Sequence, residues 1–255
     1  MNAPGEKTFG YVLADTSGIY PTYYNGPLGC KGMCPAIPFM GNAERLWQKR
    51  ALLSIDMGFN VEGYNTDRTQ VYWSGAADTI PGPIRRAHAV CVEIFEQTAA
   101  ALKPGAVPAE IWAEACAVAQ RKGQMDGFMG LGRDKVPFLG HGIGLTVDET
   151  PVCQGFTAPL EQGMVVAIEP KIGIPGSGMV GLEHTLEITA SGARPLTGTS
   201  KANHPDRLIS LSYPVSCRYD CDAAQKRDCS PPQSSCLWAG TCGGLCHFIP
   251  CLSVG

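Results

Sequence analysis

The chain of 255 residues has no surplus of charge of either sign. Twenty Lys and Arg stand against 23 Asp and Glu, a net −3 at pH 7. A nucleic-acid binder, or a protein that docks on an anionic membrane, needs a basic patch, so neither is expected. No uncharged apolar run is long enough to span a bilayer. The opening MNAPGEKTFG has no basic stretch followed by an apolar one. No signal peptide is therefore expected, and the location read from it is cytoplasmic. Histidine is scarce, five in all, and none precedes His88. What is present is an ordinary globular composition, 44% hydrophobic and 17% charged, in a chain long enough to bury a core.

Cysteine is unevenly spread. Five of the twelve lie in residues 1–210 and seven follow. CKGMC (30–34) lacks a second cysteine pair and reads as a loop with free thiols rather than a zinc site. After PLTGTS (195–200) hydrophobic periodicity stops and Pro, Ser and Cys dominate. Seven is an odd number, and the spacings match no ligand pattern. Residues 1–200 are therefore expected to form the domain. Residues 201–255 are expected to be a cysteine-rich tail outside the fold, disordered beyond about residue 205.

Residues 1–42 show no sustained helical period and read as loops and short strands. RALLSID (50–56) and YNTDRTQVYW (64–73) read as two strands of a hairpin. A helix is expected over 83–103, starting at Pro83, with Ile84, Ala87, Cys91, Ile94, Phe95 and Leu102 at helical spacing. KPGAVP breaks it. A second helix follows over 109–122, with Ile111, Trp112, Ala115, Cys116 and Ala119 on one face. GMVVAIEP (163–170) and GMVGLEHTLEIT (178–189) read as strands of a second hairpin, with KIGIPGS as the loop. Two antiparallel hairpins with helices between them make an α+β fold.

The hairpins carry the chemistry. A first turn centred between Val61 and Glu62 sets Asp56 opposite Asp67, about 5 Å apart at Cβ. A second turn centred on Gly176 sets Glu169 opposite Glu183. Opposed carboxylates among apolar neighbours are a poor structural device and a good cation site. Between the hairpins lies GHGIGLTVDET (140–150), with His141 framed by glycines. Four carboxylates and one imidazole suit two divalent ions bridged by carboxylates. His184 alternates to the face opposite Glu183 and reads as structural, and His88 reads as a core residue of the first helix.

SIDMGFNVEGYNTDRTQVYW, LKPGAVPAEIW, GHGIG, GMVVAIEPKIGIPG and GLEHTLEIT, in that order, resemble the pita-bread metallopeptidase family. That family includes methionine aminopeptidase, Xaa-Pro aminopeptidase, prolidase and the non-peptidase creatinase. The resemblance covers roughly residues 10–197. It implies a curved antiparallel sheet with flanking helices and two divalent ions (Mn, Co, Zn or Fe). Asp56 would chelate one metal, Asp67 and Glu183 would bridge both, and His141 and Glu169 would complete the second. Glu169 would also handle the proton of the attacking water. The implied activity is an Xaa-Pro aminopeptidase or dipeptidase acting on a small peptide, in a possible homodimer.

This chain departs from the family at two points. Family peptidases carry a second histidine just after GHGIG, in a Val-His-Glu setting, where this sequence has Asp148. A further family histidine normally precedes the first metal aspartate, and YPTYYNG (20–26) occupies that region here. An anion cannot donate to an oxyanion, but it can act as a base. Asp148 as a catalytic base would fit a non-peptidase branch, a creatinase-like enzyme or a dimethylsulfoniopropionate lyase. The hydrolase reading is preferred to that one, and an inactive binding protein on the same fold ranks last. The family's helix pair before the first metal strand is also missing from the 55 residues ahead of Asp56. The fold is thus expected to be incomplete at its N-terminal part, and the chain unstable or inactive alone.

Overall fold

The structure, a computed structural model, describes residues 7–19, 39–40, 47–132, 135–198 and 209–211. These residues belong to one compact unit. CKGMC and YPTYYNG lie outside the described residues, as does the expected tail (201–255) except for Ile209–Leu211, which pair with Tyr72–Ser74 within a sheet and are not outside the fold.

Two five-stranded sheets and a short two-stranded ladder carry the fold. In the first sheet, β1 (Lys7–Ala14), β3 (Leu52–Val61) and β4 (Tyr64–Ser74) run antiparallel in the order β4-β3-β1. Two short parallel strands, β2 (Phe39–Met40) and β12 (Ile209–Leu211), flank them. The second sheet has the order β11-β10-β7-β5-β6. Its strands are β5 (Phe138–Gly142), β6 (Pro151–Cys153), β7 (Val165–Ile168), β10 (His184–Thr189) and β11 (Gly192–Pro195). The ladder pairs β8 (Lys171–Ile174) with β9 (Gly178–Gly181).

The helices form where the apolar spacing places them. Helix α1 (Gly82–Ala101) has Pro83 in its first turn, where the missing N–H is no loss. Ile84, Ala87, Cys91, Ile94 and Phe95 are buried along one face, and Leu102 is buried just past its end. The chain then turns through Gly105, whose φ of +88° suits glycine. Helix α2 (Pro108–Arg121) buries Ile111, Ala115, Val118 and Ala119. Trp112 and Cys116 of the expected face are only half-buried. Helix α1 packs on β8 and β9, and α2 packs on α1 and β6.

Two expectations about the hairpins need correction. The first turn is one residue later than expected, at Glu62 and Gly63, with φ of +53° and +93°. Two successive positive φ values match the twist of the flanking strands in a two-residue hairpin turn. Asn60 supports the turn, its Oδ1 accepting from Gly63 N at 3.2 Å. Asp56 therefore pairs with Thr69, and Asp67 with Gly58. Moving a turn by one residue shifts the pairing by two, which preserves the face. Asp56 and Asp67 are diagonal neighbours on one face rather than opposed.

In the second hairpin KIGI is strand, not loop, and the turn is confined to residues 175–177. The centre on Gly176 holds. Lys171 pairs with Gly181 in the ladder, and His184 pairs with Ile168 in the sheet. Glu169 and Glu183 stand between these two stretches in the same register.

Glycines let these strands approach. A Cβ on Gly140 would sit 2.1 Å from the Ala167 carbonyl oxygen of the neighbouring strand. Backbone must move to admit it. Gly140→Ala is expected to destabilise the protein by about 1–3 kcal/mol, the usual cost of overpacking. Chemical denaturation will measure this, and an unchanged midpoint would show that β5 does not depend on the close approach.

Candidate metal centre

The first hairpin meets the second sheet along β4 and β10. Glu183 N donates to the Thr69 carbonyl at 3.2 Å. Thr69 Oγ1 donates to Glu183 Oε2 at 2.6 Å. Thr185 Oγ1 accepts from Asp67 N at 2.8 Å and donates to the Asp67 carbonyl at 2.9 Å. The Asn65 backbone N and its Nδ2 donate to the Gly144 carbonyl at 2.8 and 3.0 Å, joining β4 to the loop after β5. These bonds bring together acids that are far apart in the chain.

Ligand atoms of Asp67, His141 and Glu183 lie within 4.8 Å of one another. His141 is buried on β5, and its Nδ1 lies 3.0 Å from the Gly142 carbonyl. A carbonyl can only accept, so Nδ1 carries the hydrogen, and in the neutral ring Nε2 keeps its lone pair for a ligand. Burial alone would lower the His141 pKa, but Glu169 and Glu183 outweigh it and hold it above the ordinary value. Asp67 is half-buried. Its carboxyl is pushed well above the usual range by desolvation and by the charges of Glu183 and Asp56.

Asp56 and Glu169 are engaged differently. They surround the ammonium of Lys171, which begins strand β8 instead of lying in the loop expected at KIGIPGS. Lys171 Nζ donates to Glu169 Oε2 at 2.6 Å, to Glu183 Oε2 at 3.0 Å and to Asp56 Oδ2 at 3.4 Å. Lys171 is 1% exposed. Burial opposes its charge, but the three acids prevail and raise its pKa well above the ordinary value. Glu169 is pushed up to about 7, first by burial and then by Glu183, with Lys171 pulling the other way. Asp56 is raised by burial against the same pull.

Asp148 is not part of this convergence. Its side chain is 72% exposed, and Oδ1 lies 3.8 Å from His141 Nδ1, the nitrogen already bonded to Gly142. His184 has a structural environment, with Nδ1 2.9 Å from the Thr197 carbonyl and its ring 5.4 Å from that of Phe95. His88 is buried in α1. A signal for Lys171 was present in the sequence. It stands two residues after Glu169 in a β-rich run, so the two side chains share a face.

With this geometry in place, the likeness to known proteins can be read. The pattern of metallopeptidase family M24 matches residues 14–190. The chain belongs to that family. It is 31% identical over 167 residues to the Xaa-Pro dipeptidase of Pyrococcus furiosus, covering 65% of this chain and 45% of that protein. To the Xaa-Pro dipeptidase of Lactobacillus delbrueckii subsp. lactis it is 33% identical over 192 residues, covering 75% and 49%. The chain thus spans about half the length of the curated relatives it matches. The crystal structure of the prolidase from Pyrococcus horikoshii superposes with a TM-score of 0.62 at 25% identity, over 77% of this chain and 50% of that one. The expected pita-bread fold is therefore present. Among the described residues no helix is long and apolar enough to cross a membrane.

The environment of His184 gives a pH test. Burial, and then Arg68, lower its pKa from 6.5 to about 4. A histidine held neutral stabilises fully above its unfolded pKa. That stability is lost as pH falls from 6.5 toward about 4, and no more is lost below. The melting temperature of the wild type minus that of His184→Gln is expected to shrink across that window. A difference constant with pH would contradict a neutral, buried His184.

Proposed function

We propose that the chain is the catalytic portion of a divalent-metal-dependent peptidase that cleaves short Xaa-Pro peptides. The observation that carries the reading is the convergence of Asp67, His141 and Glu183, in a chain of family M24. This donor set fits a divalent ion. It combines carboxylate oxygens with an imidazole nitrogen whose orientation is set by a backbone carbonyl. Desolvation, and then the charges of Glu183 and Asp56, raise the Asp67 pKa, and a bound cation relieves that repulsion. Bound there, the ion supplies Lewis acidity toward water and toward the scissile carbonyl.

The chain's own residues do the rest. Glu169, which burial holds up to about 7 with no ion bound, takes a proton from water and returns it to the leaving amine. Lys171 holds the Glu169 carboxylate in place through Oε2. Thr69 orients Glu183. The names of the relatives, Xaa-Pro dipeptidases, support a substrate with proline after the scissile bond.

Two other readings remain on specific grounds. Asp148 keeps the lyase reading, which requires it to act as the base. Lys171 favours a non-catalytic binding protein, because an ammonium already neutralises part of the carboxylate cluster. Hydrolysis of Xaa-Pro dipeptides, assayed with Mn, Co, Zn and Fe in turn and after chelation, separates the three. Metal-dependent turnover is expected. Glu169→Gln is expected to lower kcat by about 10²–10⁴-fold, the usual contribution of a proton-transfer group. Asp148→Asn is expected to leave peptide turnover within about tenfold, a change of roughly 1.4 kcal/mol in the barrier. No peptide turnover with any metal, together with cleavage of a small zwitterion that Asp148→Asn abolishes, would replace the peptidase reading with the lyase.

A further inference from the structure

We propose that Lys171 is a built-in cation of this centre, so that the chain binds one divalent ion, at Asp67, His141 and Glu183, and not two. The inference rests on the metal-binding part of the reading above but not on its substrate. It departs from the expectation of two ions, in which Asp56 chelates one and Glu169 completes the other.

The first ground is a match of donors to acceptors. An ammonium has three N–H donors and no acceptor. Lys171 Nζ faces one oxygen each of Glu169, Glu183 and Asp56, at 2.6, 3.0 and 3.4 Å. Among the charged contacts of Lys171 all three partners are acids. The three acids are the ones that the two-ion expectation shares out between both metals. A divalent ion on those oxygens would need distances of about 2.0–2.3 Å. Such an ion would fall inside the volume of the ammonium. Two cations in contact would also repel strongly in so dry a place.

The second ground is that Lys171 cannot easily leave. It begins β8, in a ladder packed against α1, and is 1% exposed. Its stem crosses Gly181, its cross-strand partner. A Cβ on Gly181 would lie 2.9 Å from Lys171 Cγ. The backbone of β9 is thus bare where the lysine stem passes. Removing one partner from a buried ion cluster leaves charge uncompensated, so the ammonium and its carboxylates hold one another in place.

The third ground is that a one-ion site remains intact. The hydrogen bonds and ion pairs of Lys171 go to Glu169, Glu183 and Asp56, and its charge acts on Asp67 only through space. Glu183 is common to both groups, accepting from Lys171 and Thr69 on Oε2. One ion and one ammonium therefore divide the carboxylates between them.

The test is metal stoichiometry. After equilibrium dialysis against Mn(II), elemental analysis of the wild-type chain is expected to find about one ion per chain. His141→Ala is expected to reduce this to near none. Lys171→Gly, which frees three carboxylates, is expected to take up about two, and adding Asp56→Asn to return it to about one. Lys171→Gly leaves buried acids uncompensated and can fail to fold without metal. The wild type therefore supplies a second readout. Saturated with Mn(II), it is expected to give the paramagnetic resonance signal of an isolated ion, with no spin coupling to a neighbour. Two coupled ions in the wild type would overturn the proposal while leaving the metallopeptidase reading intact. One ion in both the wild type and a folded Lys171→Gly chain would also overturn it. No ion in the wild type would overturn the proposal and the metal-binding reading together, independently of any substrate assay.

Discussion

Four carboxylates from two hairpins cannot share a dry space without a cation among them, and this constraint organises the domain. Burial raises the pKa of Asp56, Asp67 and Glu169, and their mutual repulsion adds to it. The fold brings them together anyway, because β4 and β10 are joined through Thr69, Thr185 and the backbone around them. Those bonds are short and buried or partly buried. They fix the separation of the acids before any ion arrives. The Lys171 ammonium relieves three of the acids, and the remainder of the negative potential gathers at Asp67, beside the one imidazole.

Strand packing and chemistry are coupled through small residues. Gly140 lets β5 lie close to β7, which sets the depth of His141. Gly10 does the same for β1 against β3, since a Cβ there would stand 2.3 Å from the Asp56 carbonyl oxygen. Gly181 leaves the path for the Lys171 stem. In each case the missing side chain lies next to a charged or ligating residue, so these close backbone contacts also aim the site. A close-packed, interdigitated interior transmits such constraints, because no neighbour can shift without disturbing the next.

Much of this was legible in the sequence, for identifiable reasons. Apolar spacing located both helices, since burial of one face follows directly from period and length. The strands that bear the acids were found for the same reason. The centre on Gly176 was chosen to set Glu169 opposite Glu183, and the pairing of Lys171 with Gly181 has that same centre. The first turn was displaced because it was centred to oppose two aspartates rather than to place Gly63, the residue best suited to positive φ. The face survived that error, as period-two geometry requires. Lys171 was missed because KIGIPGS looks like a loop by composition. Its strand is made by pairing with β9 and by α1 packing over the ladder, neither of which a local window contains. The exposure of Asp148 was likewise hidden, since it depends on how the loop after β5 folds against Asn65 and Glu149.

The position of Asp148 bears on the chemistry in a way that its residue type alone does not. A carboxylate that replaces a donor would be damaging if it faced the reacting carbonyl, because it would repel the developing oxyanion. Here it stands in solvent on the Nδ1 side of His141, 3.8 Å away. Its charge adds to the raised His141 pKa only after Glu169, Glu183 and the Gly142 carbonyl. What it can do is reinforce the hydrogen that Nδ1 already directs to Gly142, which keeps Nε2 available. The substitution that looks most disruptive in the sequence is therefore the less consequential of two. The more consequential residue is the lysine two residues after Glu169, because its ammonium enters the carboxylate cluster itself.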